Sequence, residues 1–233
     1  MLSIWGKIAG GVAGAYVAGP VGAVAGAVAG HLLVDKELER DVAFTIALIA
    51  LSAKMAKADG MVSPAEVNAF YQICRVPDRE QKNVERVYKL AQEDVAGFEV
   101  YARQVKSIFK DNPRVCEDVL DGLFHIAYSD GDLHPAEEAY LKRVSDIFGL
   151  DRTDFDRIHA HHNEDVVDPY AVLGVTKSVG DDTVREAWLK AVRDNHPDQL
   201  QARGVPQEII HLSNARMAGI NNAWELIRQE RGI

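Results

Sequence analysis

Two sets of side chains in this sequence have the types and spacing to do chemistry. The first is acidic and rides on an internal repeat. Ala58-Asp59-Gly60-Met61-Val62-Ser63-Pro64-Ala65-Glu66 returns as Ser129-Asp130-Gly131-Asp132-Leu133-His134-Pro135-Ala136-Glu137, every position displaced equally. If the two turns converge, Asp59, Glu66, Asp130, Asp132 and Glu137 or Glu138 make a cluster of oxygen ligands suited to a hard divalent cation. The same residues also carry a structural reading, in which Asp59 and Asp130 turn inward onto backbone N–H groups while Glu66 and Glu137 serve helix starts. The second set is His196-Pro197-Asp198. Pro197 pushes His196 out of helical geometry, so a helix must finish there and Asp198 is left exposed beside it.

Other chemistries are not encoded. There is no Ser/His/Asp or Cys/His pattern, and the glycines near the start lie in an apolar run lacking the lysine of a phosphate-binding loop, so the chain is not expected to be an enzyme. The acidic repeat is not an EF-hand, because Pro135 stands where that loop requires glycine. His159, His161 and His162 have no facing partner set and read as part of a polar linker over 159–167, not as zinc ligands. The two cysteines, Cys74 and Cys116, have no ligand spacing and fit a reducing compartment. A net charge of −9 over 233 residues argues against nucleic acid as a partner, which would ask for a basic face.

The elements that must position these residues are helical throughout, and the expected fold class is all-α. With 47% hydrophobic and 26% charged residues, the chain can bury a real core and divides into small domains. Val42, Ile46, Ile49 and Ala53 keep helical spacing up to Asp59-Gly60. A new helix starts at Ser63-Pro64, with Glu66 completing a capping box. Further helices are predicted around Glu80–Gln92, Phe98–Phe109, Arg114–Tyr128 and Glu137–Phe148.

At the amino end, Ile8 to Val34 carries no charge and is long enough to cross a hydrocarbon core of roughly 30 Å as one helix. Pro20 at its centre leaves open a helical hairpin that inserts without crossing. Gly22, Gly26 and Gly30 fall four apart and form a small-residue stripe on which two helices can approach closely, which predicts a homodimer.

At the carboxyl end, Pro169 to Gly174 reads as a one-turn helix and Gly180-Asp181-Asp182 opens another. Val184, Ala187, Trp188, Ala191 and Val192 share an apolar face, with Arg185, Lys190 and Arg193 opposite. A third helix follows after Pro206, with Ile209, Leu212, Ala215, Met217, Ile220, Ala223, Trp224 and Ile227 near helical spacing. Antiparallel packing of these two helices would bury Trp188 and Trp224 between them and display His196-Pro197-Asp198 at the tip.

Three resemblances follow. The paired Asp-Gly, Pro-x-Glu turns in an all-helical segment resemble the tellurite-resistance TerB-like domain over 36–158, which implies a helical bundle with an acidic surface. Asp168-Pro169-Tyr170-Ala171-Val172-Leu173-Gly174-Val175, Arg185-Glu186-Ala187-Trp188, the tripeptide and Ile220-Asn221-Asn222-Ala223-Trp224-Glu225-Leu226-Ile227 together resemble the J-domain of DnaJ co-chaperones over 168–233. The order of parts, with a glycine-rich membrane segment at 1–35, resembles the DjlA branch of membrane-anchored co-chaperones.

That resemblance implies stimulation of ATP hydrolysis by a DnaK-type chaperone, with no covalent chemistry and no obligatory cofactor in this chain. His196, Pro197 and Asp198 would dock on the partner, Asp198 accepting charge-assisted bonds from a partner arginine. Arg185, Lys190 and Arg193 would steer the encounter. Gln199 and Asn195 depart from the residues common beside the tripeptide, and Asp194 and Glu186 dilute the basic helix, so steering is expected to be weak. Partner and ATP are cytoplasmic, which implies an inner-membrane protein with its amino terminus outside and its bulk facing the cytoplasm. A different class of function stays open: a membrane scaffold or metal-sensing adaptor acting mainly through the TerB-like segment.

Overall fold

The computed structural model describes residues 36–58, 60, 63–74, 81–91, 97–163, 168–202, 210 and 213–233. The apolar segment at 1–35, with Gly22, Gly26 and Gly30, and the turn residue Asp59 lie outside the described residues. Among the described residues every regular element is a helix and none is long and apolar enough to cross a membrane.

Among the described residues, the first part is a bundle of seven α-helices: α1 (Lys36–Ala56), α2 (Pro64–Cys74), α3 (Gln81–Ala91), α4 (Phe98–Ile108), α5 (Arg114–Ala127), α6 (Pro135–Phe148) and α7 (Arg152–His162). Helix α1 is its spine and touches α2, α3, α4, α5 and α6. Ala47 to Leu51 and Ala53, Met55 and Ala56 are all buried, and a helix that is apolar all round has no solvent face to offer. Ser52 is buried among them, and its hydroxyl donates to the Leu48 carbonyl at 2.7 Å, so the helix backbone satisfies it. Helix α5 is buried almost as completely, but Asp118 and Asp121 interrupt its apolar residues.

The repeat shapes two equivalent corners. Gly60 and Gly131 sit at φ 89° and 124°, values that β-carbon sterics discourage in other residues. In the first copy the Glu66 amide donates to Ser63 Oγ at 3.0 Å, and the Ser63 amide donates to Glu66 Oε2 at 2.7 Å. In the second, His134 takes the serine's place: the Ala136 amide donates to its Nδ1, and the His134 amide donates to Glu137 Oε2 at 3.1 Å. Glu66 and Glu137 are both buried and serve helix starts, the structural side of the two readings.

The second part is a hairpin: α8 (Pro169–Val172), α9 (Asp181–Asn195), α10 (Pro197–Ala202) and α11 (Ser213–Arg231). Its own core is Tyr170, Val172, Leu173, Val184, Ile220, Ala223 and Ile227. Arg231 ties the ends together, donating to Tyr170 Oη at 2.9 Å, the Val179 carbonyl at 2.9 Å and the Lys177 carbonyl at 2.8 Å.

Two expectations need correction. His159, His161 and His162 belong to α7 and not to a linker, because positions 155, 159 and 162 share one helix face that lays both imidazoles on the Phe124 ring. Trp188 and Trp224 do meet, stacked with centroids 4.8 Å apart, but they are half-buried, the hairpin core being filled by smaller aliphatic side chains and Tyr170. The structure also adds an element that the sequence reading did not name. Pro197, whose fixed φ suits a first helical position, starts the six-residue α10.

Candidate partner-docking site

His196-Pro197-Asp198 forms the corner between α9 and α10. His196 leaves α9 in extended geometry, φ −65° and ψ 133°, as the residue before a proline must. Its carbonyl then accepts from the amides of Gln199 (2.9 Å) and Leu200 (3.0 Å), while its Nδ1 accepts from the Asp198 amide at 3.2 Å. The histidine therefore caps α10. With Nδ1 accepting, a neutral imidazole carries its proton on Nε2. Half of the His196 side chain and 87% of that of Asp198 face solvent. The corner thus offers a carboxylate acceptor beside a rigid proline, shaped for a planar cation such as a guanidinium.

Arg185, Lys190 and Arg193 are all exposed on α9. Lys190 Nζ lies 3.6 Å from Asp194 Oδ2, so part of the positive charge of this helix is spent internally. Of the other acidic candidates, those among the described residues divide between a surface turn and buried helix starts. Asp130 and Asp132 are exposed on their turn while Glu66 and Glu137 are buried in caps, and no group of three or more His, Cys, Asp or Glu among the described residues is arranged to hold a metal ion.

The corner is gripped from behind. Arg114 at the start of α5 pairs with Asp194 at 2.9 Å. Arg216 of α11 reaches into the bundle, donating from Nη1 to Asp118 Oδ1 (3.0 Å) and to Asn195 Oδ1 (3.2 Å). Its Nε lies 3.1 Å from Asp121 Oδ2. Arg216, Asp118 and Asp121 are each less than a tenth exposed. Removing one partner from such a buried set leaves a charge uncompensated at a cost of about 3–5 kcal/mol. Leu200, two residues past Asp198, is fully buried, and it belongs to the apolar cluster of the bundle, not to the hairpin's own core.

A histidine layer backs the acids. His162 Nε2 donates to Asp121 Oδ1 at 3.0 Å, and His161 Nε2 donates to the Val172 carbonyl of α8 at 3.1 Å. Burial pushes the Asp121 carboxyl up, but Arg216, then His162 and His161, reverse that and hold it well below the usual carboxylate range. Burial pushes His161 down more strongly than Asp121 raises it, and desolvation likewise lowers His159 and His125. Arg157 closes the side of the interface, donating to Glu117 at 2.6 Å. A Cβ on Gly174, at φ 69°, would stand 3.1 Å from the Arg157 Cδ, so this turn needs glycine for backbone and for space. A cleft of about 270 Å³ lies between bundle and hairpin along these residues.

The sequence did not announce Asp118, Asp121, Arg216 or Leu200. The available signal was two aspartates three apart inside an otherwise apolar helix face, since buried carboxylates need a cation from elsewhere.

Residues 45–160 match the family described as tellurite resistance protein TerB, and residues 2–41 match the co-chaperone DjlA transmembrane domain. Co-chaperone protein DjlA of Photobacterium profundum is 25% identical, over 84% of this chain and 80% of its own length. The chain is DjlA-like. Its counterparts from Escherichia coli strain K12 (23% identical, 84% of this chain, 82% of the relative) and Vibrio cholerae (26%, 84% and 81%) bear the same name. A co-chaperone role is the reading that these relatives support, and the match at 2–41 gives this DjlA-like chain a membrane-anchoring segment. No solved structure matches it.

Proposed function

We propose that this DjlA-like chain is a membrane-anchored co-chaperone whose carboxyl-terminal hairpin is a J-domain that stimulates ATP hydrolysis by a DnaK-type chaperone. It catalyses no reaction itself; the bond broken is in the partner's nucleotide. The observation that carries this reading is the corner His196-Pro197-Asp198, held in one backbone geometry with the Asp198 carboxylate 87% exposed. That carboxylate can accept two parallel hydrogen bonds from a partner arginine. Arg185 and Arg193 stand exposed on the preceding helix to meet an acidic surface. The anchor would raise the local concentration of the corner near membrane-bound clients, so that a brief contact suffices.

The decisive measurement is single-turnover ATP hydrolysis by a DnaK-type chaperone with the full chain in lipid nanodiscs. Asp198→Asn is expected to abolish stimulation without changing the helical circular dichroism; stimulation at the unmutated level would refute the docking assignment. Because the partner uses cytoplasmic ATP, the bundle and hairpin face the cytoplasm and the amino terminus lies outside. The carboxyl-terminal part should survive protease added to intact spheroplasts, and digestion there would reverse the topology.

A further inference from the structure

The tertiary restraints behind the corner lead to the bundle, directly through Arg114 and the seat of Leu200 and, by way of Arg216 on the hairpin's own α11, through Asp118 and Asp121. Asp194 and Asn195, immediately before the tripeptide, are held by Arg114 of α5 and by Arg216, itself clasped by Asp118 and Asp121 of α5. Leu200, two residues after it, is seated in the apolar cluster of the bundle, where Ile210 also packs. The two seams differ in chemistry, one ionic and one apolar, and both end on the TerB-matching part of the chain.

We infer that Arg216, clasped by Asp118 and Asp121, is a positioning residue for partner docking: through Asn195 it makes the TerB-like bundle the support that fixes the geometry of the His196-Pro197-Asp198 corner. This rests on the docking role proposed for the corner.

The physical argument is one of preorganisation. An exposed corner between a fifteen-residue and a six-residue helix would sample many arrangements of Asp198 relative to α9 if its flanks were free. A helix of six residues has little stability of its own. Arg216 is too deeply buried to touch a partner, so whatever it contributes must pass through Asn195 and the α9 end. The bundle does not cover the corner, because His196 and Asp198 remain 51% and 87% exposed; it supports without occluding. An apparent affinity falls by the fraction of molecules that hold the competent geometry.

The test neutralises the clasp without leaving a buried charge unpaired. The triple variant Arg216→Met, Asp118→Asn, Asp121→Asn replaces a buried ionic set as a whole, which proteins tolerate far better than losing one partner. With full chain in nanodiscs, the variant should need on the order of tenfold more protein for half-maximal stimulation, with the saturating rate kept, as expected when the competent fraction drops. Amide exchange at Asp198, Gln199 and Leu200 should quicken in parallel. Unchanged half-saturation, unchanged exchange, or stronger stimulation would each overturn the inference, the last by showing the clasp to be a restraint. If the triple variant does not fold, Asn195→Leu, which removes the acceptor for Arg216, should lose potency while Asn195→Asp, which keeps one, retains it; equal potency in the two overturns the inference. Asp198→Asn run alongside separates the two levels. If it still stimulates, the docking role itself is wrong, whereas loss there with full potency in the clasp variants sinks only the role given to the bundle.

Discussion

At the level of single residues, the glutamates of the repeat illustrate how one carboxylate can look like a ligand and act as a cap. Glu137 is buried and accepts from the His134 amide, as Glu66 does from Ser63. Glu137→Ala is therefore expected to cost about 1 kcal/mol of bundle stability in urea denaturation, the usual worth of a helix-start bond, whether or not calcium or magnesium is added. A loss that appears only with the metal present would favour the cation reading. Cys116 shows the same influence of surroundings. Burial pushes its thiol up to about 11, and since only a thiolate attacks alkylating agents, it should resist iodoacetamide in the native chain and react once the chain is unfolded. Prompt labelling of folded protein would contradict its place inside α5. Repeat, caps and tripeptide were all readable from local residue order, because each of these features is complete within about ten residues. Arg216 with Asp118 was not, since the partners lie 98 positions apart and nothing local distinguishes Arg216 from the other basic residues of α11.

The element that departs most from local expectation is α7. Its carboxyl-terminal turn carries His159, His161 and His162, which in sequence look like a polar tail and in the fold plug the space between α5 and α8. Period and cap signals found the helices of the bundle well, but a histidine counts as polar in any such pattern while a neutral imidazole packs like an aromatic ring. Helix α10 escaped for another reason: at six residues it is too short to show a period, and it leans on the His196 cap and the tertiary seat of Leu200. The imidazoles make this layer sensitive to acid. Desolvation lowers the affinity of His161, His159 and His125 for a proton in the folded state. Between their ordinary value of about 6.5 and the lower folded values, the unfolded chain binds more protons than the native one. Stability is thus fully kept above that range and falls as pH drops through it; Asp121, with its folded value depressed, adds its own loss only at more acidic pH. Denaturation midpoints should be lower at about pH 5.5 than at about pH 7.5, with α7 and α8 amides the first to lose protection. Equal midpoints would mean that the layer is open to solvent.

Taken whole, the molecule joins a membrane-anchoring segment, a bundle and a hairpin whose ionic seam lies at the junction of the last two. The spacing of Gly22, Gly26 and Gly30 in the sequence would, on a helix, allow two helices to approach closely, and we propose that it pairs two copies. Gly26→Ile should weaken energy transfer between donor- and acceptor-labelled chains in one bilayer; an undiminished signal would remove the stripe as the contact. The order of the parts was legible in the sequence because each carries its own local signature. How bundle and hairpin meet was not, because that depends on buried charges contributed by both.

The indoles of Trp188 and Trp224 lie nearly parallel at 4.8 Å, 7° between planes. At that spacing their electronic transitions mix, and the far-ultraviolet circular dichroism should carry an exciton couplet on top of the helical bands. The hairpin therefore has a built-in optical gauge: one helix sliding or splaying against the other would erase the couplet while the helical signal stayed, so an unlabelled sample could show whether the corner keeps its shape as a chaperone engages it.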